Sequence, residues 1–533
     1  MAINLLHWLA LKLKNGMLWH YINSQTMHET AGSHPAVVFG DHTLTYSELI
    51  LRATRLALEM EKIGVETGHI VLAFFDNTPS FLVALLACTK LRCAFSPMDI
   101  NLKEKEIQSI LTLTTSNLIL TDNHHLEQLK QFKCNFLCLT DQGDIETINC
   151  LYELKPCVSD NIGCIPFSSG TTGIPKGILI SHEAFYHRAN DIKEGLQLTN
   201  KDRTLCALPM SHPHGAECLA LPTLLAGGTL FLKEPKFAYP LYILEELAQL
   251  KITFFSSVPT FYDFAVKVSG HRSVDLSALR HTICGSAALT EATAKTFFEK
   301  YHVHIKQGYG LAELTAICLN HHDSETISYR CVGQPLKGIE WRLKKDDTEN
   351  AGAENNNTQS NRMKGTLLEC KLVEGALVEG ELLVKSHSLF SGYLNDVIGT
   401  QAVYQDGWFH TSDIVSVDAL GRFQIIGRKE SFAKINGFKV TFSEIEHEIM
   451  TLPWIKECII ISEKDAQDTE QLTAYVAPIY WEKTIDAMQN ELKTHLRKHL
   501  SDYKIPTKWH FKENLPKTSL GKVQKRKLEK DSI

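Results

Sequence analysis

The residues best equipped for chemistry in this 533-residue chain gather first in Phe167-Ser168-Ser169-Gly170-Thr171-Thr172-Gly173-Ile174-Pro175-Lys176-Gly177. Three glycines, four hydroxyl residues and one lysine share eleven positions. Glycine lets a backbone approach a ligand closely. Hydroxyls and successive N–H groups donate to phosphate oxygens, and lysine adds a positive point charge. The chemistry would be the gripping of a polyphosphate. It is not a Walker A loop, which needs Gly-Lys-Ser/Thr running into a helix, because here Pro175 precedes Lys176. A second group, Gln307-Gly308-Tyr309-Gly310-Leu311-Ala312-Glu313, sets an aromatic between two glycines with a carboxylate four residues on. That suits an adenine stacked on Tyr309 and a Mg²⁺ held by Glu313, since hard cations take oxygen ligands. Asp413, closing Trp408-Phe409-His410-Thr411-Ser412-Asp413, suits ribose hydroxyls, and Gly427-Arg428 supplies a cation. Leu515-Pro516-Lys517-Thr518-Ser519-Leu520-Gly521-Lys522 is a further glycine–lysine loop ahead of a basic tail.

Short strands and helices must carry these groups. Cys164–Phe167 and Gly177–Ile180 are apolar on either side of the first loop, which predicts a hairpin-like connection between strands. Leu44–Tyr46 reads as a strand, Ser47 as the cap of a helix through about Ile63, and Ile70–Phe75 as a buried strand. A helix over Ser80–Lys90 and a strand over Ala94–Pro97 follow. The same rhythm returns at Thr204–Leu208, Ile252–Ser257, His281–Cys284 and Val303–Gln307. Such alternation predicts a mostly parallel sheet covered by helices, an α/β fold. From Gly333 the texture changes to glycine-punctuated β segments such as Gly380–Lys385 and Gly421–Ile426. Asp413 is expected just after a strand. Lys345–Met363 is polar and asparagine-rich, reading as a surface insertion. From about Glu430 a small α+β unit follows, with helices at Val440–Met450 and Ile485–Leu500 and strands at Glu457–Ser462 and Thr473–Ala477. The domains are therefore drawn as 1–427 and 428–533.

Composition narrows the class of protein. A net charge of −6 gives no electrostatic reason to expect nucleic acid. The 14 dispersed cysteines, without a CxxC pair, fit a reducing compartment such as the cytoplasm. Ala2–Leu13 is largely apolar but too short to span a bilayer, and it lacks a basic leader and a cleavage site. A first helix packed on the protein body is expected, and peripheral contact with a membrane is the other reading. His212 and His214 could be a metal pair, but no third ligand is apparent in the sequence.

Taken in order from Leu44-Thr45-Tyr46-Ser47-Glu48-Leu49 to Lys522, these segments resemble the adenylate-forming superfamily of acyl-CoA ligases, amino-acid adenylation domains and luciferases. The resemblance implies a large N-terminal domain of two α/β sheets plus a β-barrel, and a small mobile α+β C-terminal domain. It implies that Ser168, Ser169, Gly170, Thr171, Thr172, Gly173 and Lys176 hold the ATP phosphates. Gly285, Ser286, Ala287, Ala288 and Tyr309 would hold adenine, Asp413 and Arg428 ribose, and Glu313 Mg²⁺. Lys522 would be the adenylation lysine, Glu430 the hinge, and Gly437 a lining of the thiol tunnel.

The same resemblance bears on substrate. His212 looks like the aromatic gate of the acyl pocket, with Pro213, Gly308 and Gly310 beside it. Amino-acid-activating relatives place an aspartate where Pro213 stands, which argues against an α-amino acid. Acetate-activating relatives place a tryptophan where Gly310 stands, so the glycine is expected to leave room for a medium- to long-chain fatty acid or an aromatic acid. The short Leu314–Val332 connection lacks the insertion of carrier-loading fatty-acid relatives, which favours coenzyme A as the thiol. A carrier protein of a lipid, polyketide or nonribosomal peptide pathway is the second acceptor weighed. A non-catalytic nucleotide-binding regulator and a luciferase-like oxygenase are the other readings. The family usually has Thr where Ala312 stands, and losing one hydroxyl costs about 0.5–1.5 kcal/mol.

Overall fold

The computed structural model describes residues 17–25, 32–168, 175–235, 238–268, 274–320, 331–344, 363–365, 378–428, 432–435, 438–464, 470–517, 523 and 528. The chain divides into two compact units, residues 1–340 with 385–407, and residues 341–384 with 408–533.

Two sheets organise the first unit. In one, Ile70–Phe74 lies between Ala94–Pro97 and Leu118–Asp122, all parallel. Asn135–Leu139 continues the parallel run beyond Leu118–Asp122. Every residue of Ile70–Phe74 is buried, the mark of a strand covered on both faces. Helix Pro79–Leu91, buried almost throughout, and helix Glu104–Thr114, with its apolar stripe of Ile107 and Ile110, cover it. In the other sheet the strands Thr229–Leu232, Arg203–Cys206, Phe254–Ser257, His281–Cys284 and Lys306–Tyr309 run parallel in that order. Leu205, Phe255, Phe261, Tyr262 and Phe297 pack in the core between these strands and their helices.

Helix Tyr46–Lys62 starts earlier than Ser47. Thr45 is its N-cap, accepting from the Glu48 N–H while the Glu48 carboxylate accepts from the Thr45 N–H at 2.8 Å. This reciprocal capping box outcompetes a serine two residues on. The expected strand Val303–Gln307 is displaced to Lys306–Tyr309. His302, at φ 55°, ends helix Glu291–Tyr301 in the left-handed conformation, and the next residues are used to re-aim the chain.

Helix Met17–Ser24 packs against helices Pro79–Leu91, His182–Gly195 and Leu221–Leu225. Trp19 is 4% exposed, with the Lys90 ammonium 4.9 Å over its ring. This tryptophan is turned into protein; Ala2–Leu13 lies outside the described residues. No described helix is long and apolar enough to cross a membrane.

The second unit holds antiparallel strands Val378–Lys385, Trp408–Val417 and Phe423–Arg428, paired in that order. Asp413 therefore sits within a strand, beside a register shift at Ile414/Val415, and not after one. The unit's α+β part has hairpin strands Ile455–Lys464 and Glu470–Pro478, with Lys508–Phe511 added in parallel. Helices Phe442–Met450 and Ile485–His499 cover it through Ile445, Ile449, Leu492 and Leu496. Residues 345–362 of the expected insertion lie outside the described residues, and Met363 opens a short strand.

Candidate active site

The loop between Ser168 and Lys176 has the predicted hairpin base. Ser168 pairs with Lys176 and Phe167 with Gly177 across antiparallel strands. Residues 169–174, including Ser169, Gly170, Thr171, Thr172 and Gly173, lie outside the described residues. The Lys176 ammonium is 3.4 Å from an Asp396 carboxylate oxygen and 4.8 Å from the centre of the Tyr393 ring. Asp396 caps helix Val397–Val403 by accepting from the Gly399 N–H. That backbone bond, then Lys176, holds its carboxyl below the usual carboxylate range.

Tyr393 joins this cation to the predicted metal ligand, because its hydroxyl donates to Glu313 Oε1 at 2.7 Å. Burial and then the Glu313 charge push the phenol well above its ordinary value, so it stays a donor. Glu313 is partly buried and has no cationic side chain against its carboxylate among the described residues. A hard oxygen donor left without a protein cation suits Mg²⁺, which takes one or two carboxylates together with phosphate oxygens.

The elements behind Glu313 were not legible in the sequence. Arg188, on helix His182–Gly195, has a side chain that is 0% exposed. Its guanidinium donates to the carbonyls of Ser388 (2.9 Å), Ala312 (3.2 Å) and Glu313 (2.6 Å) and pairs with Glu217 at 3.3 Å. Glu217 in turn accepts from the Thr315 hydroxyl. One buried fork thus fixes the backbone that carries the predicted metal ligand. The only sequence signal was an arginine amid helical apolar positions, and that is the pattern of countless surface arginines.

Gly285-Ser286-Ala287-Ala288 follows strand His281–Cys284, and Tyr309 ends the adjacent parallel strand. Both emerge at carboxyl ends of neighbouring parallel strands, where open α/β sheets bind ligands. Gln307 ties them together, its side chain accepting from the Leu289 N–H at 3.0 Å. His214 lies against Gly285, with ring nitrogens 2.7 Å from the Ser256 hydroxyl and 3.0 Å from that of Ser286. Both nitrogens already have hydroxyl partners, and among the described residues no third ligand joins His212 and His214 in a metal-holding cluster. Burial, then His212, lowers the His214 pKa to about 4. His212 itself faces Asp99 at 3.3 Å, beside Pro213 and an apolar cavity of about 10 Å³ flanked by Phe81, Phe95 and Phe185.

The reason for Gly310 differs from the one expected. A Cβ there would lie 1.6 Å from the Thr315 carbonyl oxygen, so backbone, not an open pocket, fills its side-chain direction. Gly308 is also crowded, by Leu319 at 3.0 Å.

In the second unit, Asp413 is 3% exposed and accepts from Arg428 Nε at 2.9 Å, the two residues being direct partners across their strands. Glu430, Gly437 and Lys522 lie outside the described residues.

A family model for AMP-binding enzymes matches residues 24–394, and one for their C-terminal domain matches residues 444–522. The chain therefore belongs to the AMP-binding enzyme family, within the adenylate-forming superfamily, and has the character of an acyl-CoA ligase. It is 28% identical over 502 residues to a feruloyl-CoA synthase from Amycolatopsis sp, covering 93% of this chain and 95% of that one. Among solved structures it resembles ATP-bound MatB from Rhodopseudomonas palustris, with a TM-score of 0.81 at 24% identity over 97% and 99% of the two chains. It also resembles the o-succinylbenzoate coenzyme A synthetase of Bacillus subtilis in complex with ATP and magnesium ion, with a TM-score of 0.77 at 20% identity over 96% and 99%.

Proposed function

We propose that this protein is an ATP-dependent carboxylic acid–CoA ligase that works through an acyl-adenylate and takes an aromatic acid. The observation that carries the reading is the chain Lys176–Tyr393–Glu313, a loop cation linked through one phenol to a carboxylate that meets no cationic side chain among the described residues. Similarity to a feruloyl-CoA synthase supports an aromatic acid over an aliphatic one.

In the first half-reaction a carboxylate oxygen bonds to the α-phosphorus of ATP while the α–β phosphoanhydride breaks and pyrophosphate leaves. In the second, a CoA thiolate attacks the acyl carbon and AMP leaves. Two anions must meet, so alignment and charge neutralisation dominate; alignment alone can supply about 7–11 kcal/mol. Ser168 and Lys176, with residues 169–173 between them, are assigned to the β- and γ-phosphates. Tyr309 and residues 285–288 are assigned to adenine, and Asp413 with Arg428 to ribose. Mg²⁺ on Glu313 would offset phosphate charge. Tyr393 orients that carboxylate, and Arg188 fixes its main chain. His212, held by Asp99, is assigned to the acyl pocket with Pro213.

Lys522, at the end of the matched C-terminal domain, is assigned to the adenylation step, Glu430 to the hinge of a mobile domain 428–533, and Gly437 to the thiol tunnel. The test is ATP–pyrophosphate exchange over a panel of aryl, fatty and amino acids, with mass spectrometry of the thioester. Exchange with aryl acids, an aryl-CoA product, and loss of exchange in Lys522→Ala are expected. Exchange with no acid would favour a nucleotide-binding regulator, and acylation of carrier proteins alone would overturn CoA as acceptor.

A further inference from the structure

Behind Arg188 the first unit gathers three metal-ligating side chains that the proposed reaction does not use. His187 and Asp191 stand four residues apart on helix His182–Gly195 and so share one face. His387 comes from the segment just ahead of Ser388. One ligand atom from each of the three lies within 4.8 Å of those of the other two. His387 Nε2 is 3.2 Å from Asp191 Oδ2, and the His187 and His387 ring centres are 4.1 Å apart. We propose that His187, Asp191 and His387 bind a zinc-like divalent transition-metal ion that pins helix His182–Gly195 to the 387–388 segment.

Two imidazoles and one carboxylate are the donor set of many zinc centres, with water completing the tetrahedron. With zinc bonds of about 2.0–2.1 Å, tetrahedral ligand atoms stand about 3.3 Å apart, which the His387–Asp191 separation already matches. Ser388 donates its hydroxyl to Asp191 Oδ2 at 2.7 Å, an outer-shell bond of the kind that orients a ligating carboxylate. Gly338 makes room for the His387 ring, since a Cβ there would lie 2.6 Å from its Cε1. Mg²⁺ prefers oxygen donors, so this site is chemically separate from the one assigned to Glu313.

Its position gives it a consequence. Arg188, next to His187, holds the Ser388 and Glu313 carbonyls. An ion joining His187 and Asp191 to His387 would brace that same junction. A second trio, Glu448, His495 and His499, lies in the other unit and includes none of the residues that Arg188 holds.

The test uses full-length protein stripped with a chelator and titrated with Zn²⁺ in excess Mg²⁺, followed by calorimetry. Co²⁺ serves as a visible-absorbance probe of a four-coordinate nitrogen–oxygen site. Wild type should take one equivalent more than His387→Ala and gain thermal stability on loading that the variant does not. Asp191→Asn should lose the same equivalent, so the result does not hang on one variant's folding. Equal stoichiometry and affinity in wild type and both variants, or loss of the equivalent in His495→Ala instead, would overturn the proposal.

Discussion

Replacing Arg188 with methionine removes the donor of four bonds at once while roughly keeping the volume of the side chain. The Glu217 side chain is only 3% exposed, so its charge would remain buried with Thr315 as its remaining partner among the described residues. Breaking a buried pair from one side costs about 3–5 kcal/mol. Three carbonyls, of Ser388, Ala312 and Glu313, also lose a charged donor, at about 1–3 kcal/mol each where no water replaces it. These costs share one side chain and do not add, so about 4 kcal/mol is expected for the unit that unfolds. Glu217→Leu should cost a similar amount. The double variant Arg188→Met/Glu217→Leu leaves neither charge of this pair behind and should cost at least about 2 kcal/mol less than the sum of the two singles, as buried pairs replaced by apolar residues often do. Denaturant unfolding of the four proteins reads this cycle. In parallel, pyrophosphate exchange should show a raised KM for Mg·ATP in Arg188→Met, because Ala312 and Glu313 lose their anchor. An Arg188→Met cost under 1 kcal/mol, or a strictly additive cycle, would refute the view that this pair holds the Ala312–Glu313 segment.

Four further outcomes follow from single contacts. Tyr393→Phe removes the 2.7 Å bond to Glu313 and should cost about 0.5–1.5 kcal/mol while raising the Mg²⁺ concentration needed for half-maximal exchange; an unchanged Mg²⁺ dependence counts against Glu313 as its ligand. Gly310→Ala drives a methyl into the Thr315 carbonyl and should cost about 1–3 kcal/mol with lost activity, whereas a glycine that merely leaves room would tolerate alanine and only shorten the accepted acid. His182 and His214 are each held down to about 4 from 6.5, chiefly by burial. The unfolded chain then binds more protons below pH 6.5, so stability is full above that pH and falls as pH drops toward 4. The buried His182 alone accounts for roughly 3 kcal/mol, and a flat stability curve between pH 6.5 and 5 would contradict it. Ala312→Thr restores the hydroxyl usual in the family and should raise the adenylation rate; no gain would mean that the hydroxyl is not needed here.

Much of the scaffold was legible because its rules are local. Ala94–Pro97 and His281–Cys284 fall where apolar runs bounded by turn residues predict strands, and Ile485–His499 follows its 3.6-residue period behind the Thr484 cap. Errors came where two local signals competed, as at Thr45 against Ser47, or where a left-handed residue such as His302 re-aimed the chain. The 168–176 loop, the Tyr309–Glu313 run, Asp413 and Arg428, here proposed to bind ATP, stood out because their glycines, hydroxyls and charges follow one another closely in the chain.

What the sequence alone determined is therefore the alternating α/β plan and the linear motifs, which depend on residues a few positions apart. What only the tertiary structure decided is which distant residues hold those motifs. Arg188 is 125 positions from Glu313, and Tyr393 is 80 from it, yet both bond to it. Such pairings have no period and no spacing. They exist because parallel crossovers carry far segments to one end of a sheet, where burial makes each unpaired polar group costly enough to require a partner. Gly310 carries the same lesson in small: its residue type was plain from the chain, but only the Thr315 carbonyl beside it shows why glycine is required.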